Sequence, residues 1–188
     1  MTRQPLRLAL MFLGVPLAFA PPAEAQRSGF IIGLGLGPGL ASYTASSGSV
    51  SLDRENKLGV ATDFHIGGVI GDSFELYYVN KWIFLHTTDR VAIVATGVSG
   101  VGFTYPLNPD FSISGGIGVG VWKEIWDEDP PLRMETYTGL GLLAGGRYQL
   151  SESGRWMLNF DIMYAKPGDD VLDRNVLGVQ FTISAMSH

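Results

Sequence analysis

The segment from Trp156 to Tyr164 alternates between two kinds of side chain. Its even positions are large and apolar, whereas its odd positions include Asn159 and Asp161. Successive side chains of a β-strand point to opposite faces, so this spacing predicts a strand with one apolar and one polar face. Aromatic residues stand at both ends of the apolar face with aliphatic residues between them. That order is expected where a strand crosses a lipid bilayer.

Seven further segments repeat this alternation, and one face of each is the more apolar. The eight segments cover residues 30–41, 60–70, 74–84, 91–105, 111–122, 134–148, 156–164 and 177–183. Glycine fills much of the second face in the first, fifth and sixth segments. The glycines from Gly33 to Gly39 continue a strand rather than opening a helix, which argues against a nucleotide-binding loop.

The connections between the segments also alternate. Tight links rich in turn-forming residues follow the second, fourth and sixth segments: Gly71–Ser73, Leu107–Asp110 and Ser151–Gly154. Longer links follow the others: Thr44–Lys57, His86–Arg90, Lys123–Arg133 and Lys166–Asn175. Because an open sheet edge cannot be left in hydrocarbon, strands that cross a membrane have to close on themselves. We therefore predict an all-β fold, an eight-stranded antiparallel up-and-down transmembrane β-barrel.

At this point the chain resembles the small eight-stranded outer-membrane barrels of the OmpA transmembrane-domain and OmpX type, over roughly residues 28–183. The resemblance implies location in the bacterial outer membrane of a Gram-negative cell, with short turns periplasmic and long loops extracellular. Gly178, Phe181 and Ile183 resemble the signal that the barrel assembly machinery recognises in the last strand. Val176 stands where a polar residue is usual, and residues 184–188 extend beyond the usual terminal aromatic residue.

The first 25 residues are typical of an export signal. Arg3 and Arg7 precede an apolar run from Leu8 to Ala20, and small residues around Ala25 offer a cleavage site. We expect residues 1–25 to be a signal peptide and residues 26–188 to form the barrel domain. The apolar run is shorter than the roughly 20 residues that a membrane-spanning helix requires, and no later segment supplies one.

Composition excludes several classes of function. The formal net charge of −5 and the lack of a basic patch argue against nucleic-acid binding. The chain has no cysteine, which excludes disulfides and thiolate metal sites. We expect no cofactor and no resident metal, and we expect the protein to be a monomer.

Charged residues on the inward faces are predicted to pair. If Gly71 to Ser73 form a three-residue turn, the count along both strands places Asp63 opposite Lys81. The count across the turn that ends at Gly154 places Arg147 opposite Asn159 and diagonal to Asp161. Because charges inside a narrow barrel need partners, these five residues are predicted to form a charge network in the lumen.

The outward faces predict a belt of lipid-facing aromatic residues: Phe74, Trp82, Phe84, Phe103, Tyr105, Trp156 and Tyr164. The inward glycines allow two interpretations. They make room for large side chains that fill the lumen, or they leave a pocket for a small apolar ligand. The side chains in question are Tyr77, Trp122, Tyr137, Met157 and Met163. A filled lumen is favoured, because packed interiors are the rule in proteins.

Catalytic and metal-binding interpretations have little support in the sequence. His65 lies beside Asp63, but one histidine and one carboxylate are too few for a metal site or a catalytic relay. His86, with Thr88 two residues on, resembles the histidine and serine of lipid A deacylases without the rest of their motif. Six loop carboxylates either bind divalent cations that bridge to lipopolysaccharide or are solvated loop tips. They are Asp127, Glu128, Asp129, Asp169, Asp170 and Asp173.

Three functions are compatible with these patterns. The first is a non-enzymatic outer-membrane barrel with a structural, lipopolysaccharide-contacting or surface-interaction role and no wide pore. Its partners would be outer-membrane lipid and lipopolysaccharide. The second is a barrel enzyme that modifies lipid A through His86. The third is a soluble periplasmic carrier similar to a lipocalin, which would be apolar inside and polar outside.

Overall fold

The computed structural model describes residues 29–47, 50–51, 53–71, 74–86, 91–126, 133–151, 156–169 and 172–187. Nearly all of these residues lie in antiparallel strands. The strands are β1 (Phe30–Ser47), β2 (Val50–Ser51), β3 (Glu55–Ile70), β4 (Phe74–His86), β5 (Val91–Pro106), β6 (Phe111–Trp126), β7 (Arg133–Gln149), β8 (Trp156–Gly168) and β9 (Asp173–Ser187). The described residues contain no helix long and apolar enough to cross a membrane.

The sheet closes into a barrel of eight long strands. From β3 to β9 each strand pairs with the next along the chain, and β1 pairs with both β3 and β9. The closing seam between β1 and β9 runs from Ile32 opposite Ser187 to Ser46 opposite Asp173. The short β2 pairs only with the end of β1. The prediction of an eight-stranded antiparallel up-and-down barrel is therefore confirmed.

The short turns set the register of the strands that they join. Ile70 pairs with Phe74 around the turn that begins at Gly71, whose φ of 67° lies in the left-handed region that glycine adopts readily. In the second turn, Asn108 Oδ1 accepts hydrogen bonds from the backbone N–H groups of Asp110 and Phe111, at 3.0 and 2.9 Å. This bonding satisfies backbone donors that the sheet leaves free. We call this end of the barrel the short-turn end and the opposite end the long-loop end.

The strands extend further toward the long-loop end than the sequence predicts. β1 continues to Ser47 and β6 to Trp126, both inside segments predicted to be loops. At the other end, β9 includes all residues up to Ser187. A strand needs about 9–11 residues to cross the hydrocarbon core. The apolar alternation therefore marks how far the membrane extends, whereas backbone pairing continues beyond it.

The outer face of the barrel is apolar. Leu34, Ile117 and Ile183 leave 62%, 59% and 52% of their surface exposed. Aromatic rings cover the outward glycines: a Cβ atom added to Gly115 would lie 2.9 Å from the Phe103 ring, and one added to Gly97 would lie 3.0 Å from Trp82. Such glycine–aromatic pairs close gaps in the outer surface of a sheet.

This apolar surface contradicts the third functional alternative. A soluble carrier similar to a lipocalin requires a polar outside and an apolar inside. Here the buried inward side chains include Asp63, Lys81, Arg147 and Asp161. The soluble-carrier interpretation is therefore wrong, because the solvent of the outer face is lipid rather than water.

A substitution in the middle of the outer face tests this assignment. Ile117 lies on β6 between Val101 and Leu142. Ile117→Arg is expected to lower the free energy of unfolding in lipid vesicles by roughly 2–4 kcal/mol, because it places a cation in hydrocarbon. The measurement is denaturant unfolding of the refolded protein in vesicles. Thr136→Arg is the control, since Thr136 is exposed near the long-loop end. Equal losses in the two variants would contradict the proposed depth of Ile117.

Candidate functional site

The inward face of β4 shows how the lumen is organised from one end to the other. From the short-turn end to the long-loop end it presents Glu75, Tyr77, Val79, Lys81, Ile83 and Leu85. All six side chains except Glu75 belong to residues that are at most 5% exposed. Charged, aromatic and aliphatic side chains therefore lie at different heights along the axis of the barrel, and each contacts a different set of residues.

Lys81 lies at the centre of the lumen between two carboxylates. Its Nζ donates to Asp63 Oδ2 on the neighbouring strand β3 and to Asp161 Oδ2 on β8, each at 2.7 Å. β8 is the fourth strand from β4 around the barrel, so Lys81 spans the lumen. All three residues are at least 95% buried, and the Lys81 cation offsets the negative charge of one carboxylate while it donates hydrogen bonds to both.

Other polar side chains complete this central network. His65 Nδ1 lies 3.3 Å from Asp63 Oδ1, and its Nε2 lies 2.9 Å from the sulfur of Met186. Gln180 Nε2 donates to Asp161 Oδ2 at 3.3 Å. Asn159 Nδ2 donates to the hydroxyl oxygens of Thr182 and Ser184, at 3.2 and 2.6 Å. His65 thus contacts the Asp63 oxygen that Lys81 leaves free, whereas Gln180 shares Asp161 Oδ2 with Lys81.

The partner of Arg147 differs from the predicted one. Arg147 lies opposite Asn159 in the ladder, as the turn count predicts. However, its Nη1 donates to Glu75 Oε2 at 2.7 Å across the lumen, and Asp161 pairs with Lys81 instead. The predicted pairing of Arg147 with Asp161 is therefore wrong. A turn count identifies neighbours along the sheet, but it does not identify groups that face each other across a closed barrel.

A second polar cluster lies toward the long-loop end. Glu124 Oε1 accepts hydrogen bonds from Trp122 Nε1 at 2.7 Å and from Arg174 Nη2 at 2.9 Å. The guanidinium carbon of Arg174 lies 4.0 Å from the centre of the Tyr137 ring and 5.5 Å from Trp122. Tyr43 packs edge-on against Trp122 with 4.6 Å between ring centres. We call these five residues the aromatic–arginine layer.

Sequence reasoning missed the charged members of this layer. Glu124 and Arg174 fall in segments predicted to be loops, so neither was assigned to the lumen. Their alternation was the available signal: Arg174 continues the inward series of Val176 and Gly178, and Glu124 follows Trp122. Beyond the apolar band, inward charged residues therefore have to be identified by their alternate positions along the strand rather than by hydropathy.

Two carboxylates at the rim of the long-loop end lie beyond the apolar band. Tyr43 Oη donates to Glu55 Oε2 at 2.6 Å, and Lys57 lies 3.2 Å from the same oxygen. These two contacts lower the pKa of Glu55. Hydrogen bonds from Tyr137 and Arg133 likewise lower the pKa of Glu135. Both rim carboxylates therefore keep their negative charge at neutral pH.

The lumen is filled between these layers. An apolar cluster that includes Ile83, Val98 and Met163 lies next to Trp122. Inward glycines give the large side chains room: a Cβ atom on Gly39 would meet Ile83 at 2.9 Å, and one on Gly102 would meet Tyr77 at 2.5 Å. A cavity beside Lys81 and Asp161 measures about 10 Å³. It is about large enough for one water molecule.

The predicted aromatic belt is distributed over both ends of the barrel. Trp156 and Tyr105 are half exposed near the short-turn end, and Phe84 is 41% exposed toward the long-loop end. Phe103 stacks on Phe74, with ring centres 6.1 Å apart. Trp82 stacks on Phe84 at 6.3 Å, and Tyr164 Oη donates to Asn175 Oδ1 at 2.9 Å. All seven belong to the outward faces of their strands.

The candidate catalytic and cation-binding residues are largely outside the described residues. Asp127, Glu128, Asp129, Asp170 and Thr88 are outside them, as are the predicted signal peptide and the side chain of His86. Asp169 Oδ1 accepts a hydrogen bond from the backbone N–H of Leu172 at 2.7 Å, and Asp173 is exposed at the start of β9. Among the residues described, no three His, Cys, Asp or Glu side chains are grouped so that they could hold a metal ion.

The closed sheet, its apolar outer face and its paired lumen charges are the features of a small outer-membrane barrel. Residues 8–184 match the family described as outer membrane protein beta-barrel domain. The chain belongs to this family. Its members are proteins of the bacterial outer membrane, and this chain has the architecture of a small Gram-negative barrel, as the resemblance implies. Among curated proteins, no significant match is found.

Solved structures of outer-membrane barrels share the fold at low sequence identity. Neisserial surface protein A is 14% identical with a TM-score of 0.55, and the alignment covers 86% of this chain and 98% of that one. OprG from Pseudomonas aeruginosa is 15% identical with a TM-score of 0.50, covering 87% and 98%. Ail from Yersinia pestis is 12% identical with a TM-score of 0.52, covering 82% and 97%. At such identities the likeness concerns the fold alone.

The central ion pairs lead to a stability prediction. Lys81→Met is expected to lower the free energy of unfolding by about 3–5 kcal/mol, because it leaves two buried carboxylates without their cation. Adding Asp63→Asn and Asp161→Asn is expected to recover most of the lost stability, because both carboxylates that lack a cation are then replaced by neutral amides. Both variants are compared with the wild type by denaturant unfolding in vesicles.

Lys166→Met is the matched control for this experiment. Lys166 is an exposed lysine on β8, and it has no ion pair with any described residue. Its replacement is expected to leave stability nearly unchanged. If the triple variant were less stable than Lys81→Met, the loss would come from packing rather than from unpaired charge.

Proposed function

We propose that this protein is a non-enzymatic barrel that acts through its outer face and its long-loop end. Its role is structural, lipopolysaccharide-contacting or surface-interacting, and it has no wide pore. The observation that carries this proposal is the filled lumen. Three ion pairs between described residues cross it, namely Lys81 with Asp161, Arg147 with Glu75, and Arg174 with Glu124. Eight strands leave little space once inward side chains are placed.

The lack of space for a substrate in the described part of the lumen supports a non-enzymatic role. His65 and Asp63 contact each other in the lumen, but the cavity beside Lys81 and Asp161 holds about 10 Å³. General acid–base catalysis requires a substrate within hydrogen-bonding reach of the catalytic group. A lipid or a peptide would have to displace the packed side chains to reach either residue.

Conductance measurements test the proposal that the lumen is closed. The wild-type protein in planar bilayers is expected to show no steps of the size that a wide porin gives. Trp122→Gly alone is also expected to stay closed, because Ile83 and the Lys81 ion pairs follow it along the axis. Replacing Trp122, Ile83 and Lys81 together by glycine is expected to give an ion-conducting barrel.

The control for these variants is Ile117→Gly, which removes a lipid-facing side chain and leaves the lumen intact. Heat-modifiable migration on a gel verifies that each variant is folded. Porin-sized steps from the wild-type protein would contradict the proposal. Conduction by Trp122→Gly would show that the aromatic–arginine layer alone blocks ion flow through the lumen.

The lipid A-modifying alternative is tested by mass spectrometry. Lipid A from cells that produce the protein is expected to have the same mass distribution as lipid A from cells that lack it. His86→Ala is expected to change nothing. A species that has lost an acyl chain, present with the wild type and absent with His86→Ala, would support the enzyme instead.

The proposed partners follow from the surfaces that remain accessible. Phe181 and Ile183 are 49% and 52% exposed on the outward face of β9, which suits recognition by the barrel assembly machinery before the sheet closes. After insertion, outer-membrane lipid and lipopolysaccharide surround the same face. We propose a monomer, because one chain supplies every strand that the closed sheet requires.

A further inference from the structure

The outer face changes from apolar to polar near the long-loop end of β3, β1 and β9. On β3, the lipid-facing Leu58 is 77% exposed and Asn56 follows it toward the rim, and the exposed Arg54 precedes the first residue of the strand. On β1, Leu40 is followed in the same way by Ser42. A two-residue step along a strand measures about 7 Å. Asn56 therefore lies about one such step beyond Leu58, and Arg54 lies farther toward the rim because it precedes β3.

A groove lies at this boundary. Its volume is about 230 Å³, and its polar walls come from Ser42, Thr44, Arg54, Tyr164 and Asn175. The hydrogen bond from Tyr164 Oη to Asn175 Oδ1, at 2.9 Å, joins β8 to β9 at the wall of the groove. Leu177 adds an apolar side chain. The groove thus offers hydroxyl and amide groups and one cation next to an apolar surface.

Arg54 differs from the other described arginines. Arg133, Arg147 and Arg174 each pair with a glutamate. Arg54 is exposed and has no hydrogen bond or ion pair with any residue that the structure describes. Its guanidinium is therefore free to bind an anion. A planar guanidinium matches the oxygen atoms of a phosphate group with two parallel hydrogen bonds.

We propose that this groove binds a phosphate group of an outer-leaflet lipid, namely the phosphorylated sugar headgroup of lipid A. Arg54 binds the phosphate, and Ser42 and Thr44 supply hydrogen bonds to the phosphate or the sugar. This inference rests on the proposed function, because it places the long-loop end in the outer headgroup layer. It adds the position and the chemistry of the contact.

The position of the groove favours a lipid over a soluble anion. The groove opens on the outward face, directly above the apolar surface that Leu40 and Leu58 form on adjacent strands. A lipid whose acyl chain covers these leucines brings its headgroup to the height of Arg54. A soluble phosphate gains nothing from the apolar surface below the groove.

Binding of purified lipids to the folded full-length protein tests the inference. Wild type and Arg54→Gln are titrated in detergent micelles with bisphosphorylated lipid A, with dephosphorylated lipid A and with inorganic phosphate. Native mass spectrometry measures the bound lipid. Arg54→Gln is expected to bind bisphosphorylated lipid A roughly tenfold more weakly, as the loss of a charged hydrogen bond implies. Dephosphorylated lipid A is expected to bind both proteins equally weakly.

Lys166→Gln is the matched control, because it removes an outward cation at the same end of the barrel without touching the groove. It is expected to retain wild-type affinity. Equal affinities of wild type and Arg54→Gln would overturn the site while leaving lipopolysaccharide contact elsewhere on the barrel intact. No preference of the wild type for lipid A over phosphatidylcholine would contradict the proposed lipopolysaccharide contact itself. Tight binding of inorganic phosphate alone would overturn the lipid as the ligand and identify a soluble anion instead.

Discussion

The pairing of β1 with β9 is the contact on which the rest of the structure depends. Hydrocarbon offers no hydrogen-bonding partner, so a strand edge exposed to lipid leaves a row of backbone groups unsatisfied. The seam from Ile32 opposite Ser187 to Ser46 opposite Asp173 removes that edge. It needs the residues after Ile183, which the sequence pattern places beyond the last strand. The length of β9 is thus determined by backbone pairing rather than by its apolar side chains.

Closure with eight strands makes the lumen narrow, and the narrow lumen determines which side chains face inward. Gly39 and Gly178 face Ile83 because a second large side chain has no room there. The same width brings β4 within reach of β8, so that Lys81 binds Asp63 beside it and Asp161 across from it. Each cation in the lumen therefore has a carboxylate that a wider barrel would leave out of reach.

Alternation along the chain was sufficient to predict the faces of all eight strands, and turn lengths were sufficient to predict that Asp63 lies opposite Lys81. Neither could identify Glu75 as the partner of Arg147. That contact depends on how far the strands are staggered around the closed sheet, which no local pattern records. The strand ends were not predicted either, because polar residues such as Thr44 and Glu124 were assigned to loops although their backbones remain paired.

Because the lumen is filled, we assign the proposed function to the outer face and the long-loop end of the barrel. On the outer face, a side chain that leaves the apolar band enters the headgroup layer within about 7 Å. There an arginine that lacks a carboxylate partner is solvated by water and can bind a phosphate with a small desolvation free energy. In the lumen the same guanidinium would require a carboxylate from its own chain. The contrast between Arg54 and Arg174 follows from this difference in solvent. One arginine is balanced by Glu124 in the lumen, and the other, in the site that we propose, faces the headgroup layer, in which the membrane itself carries the negative charge.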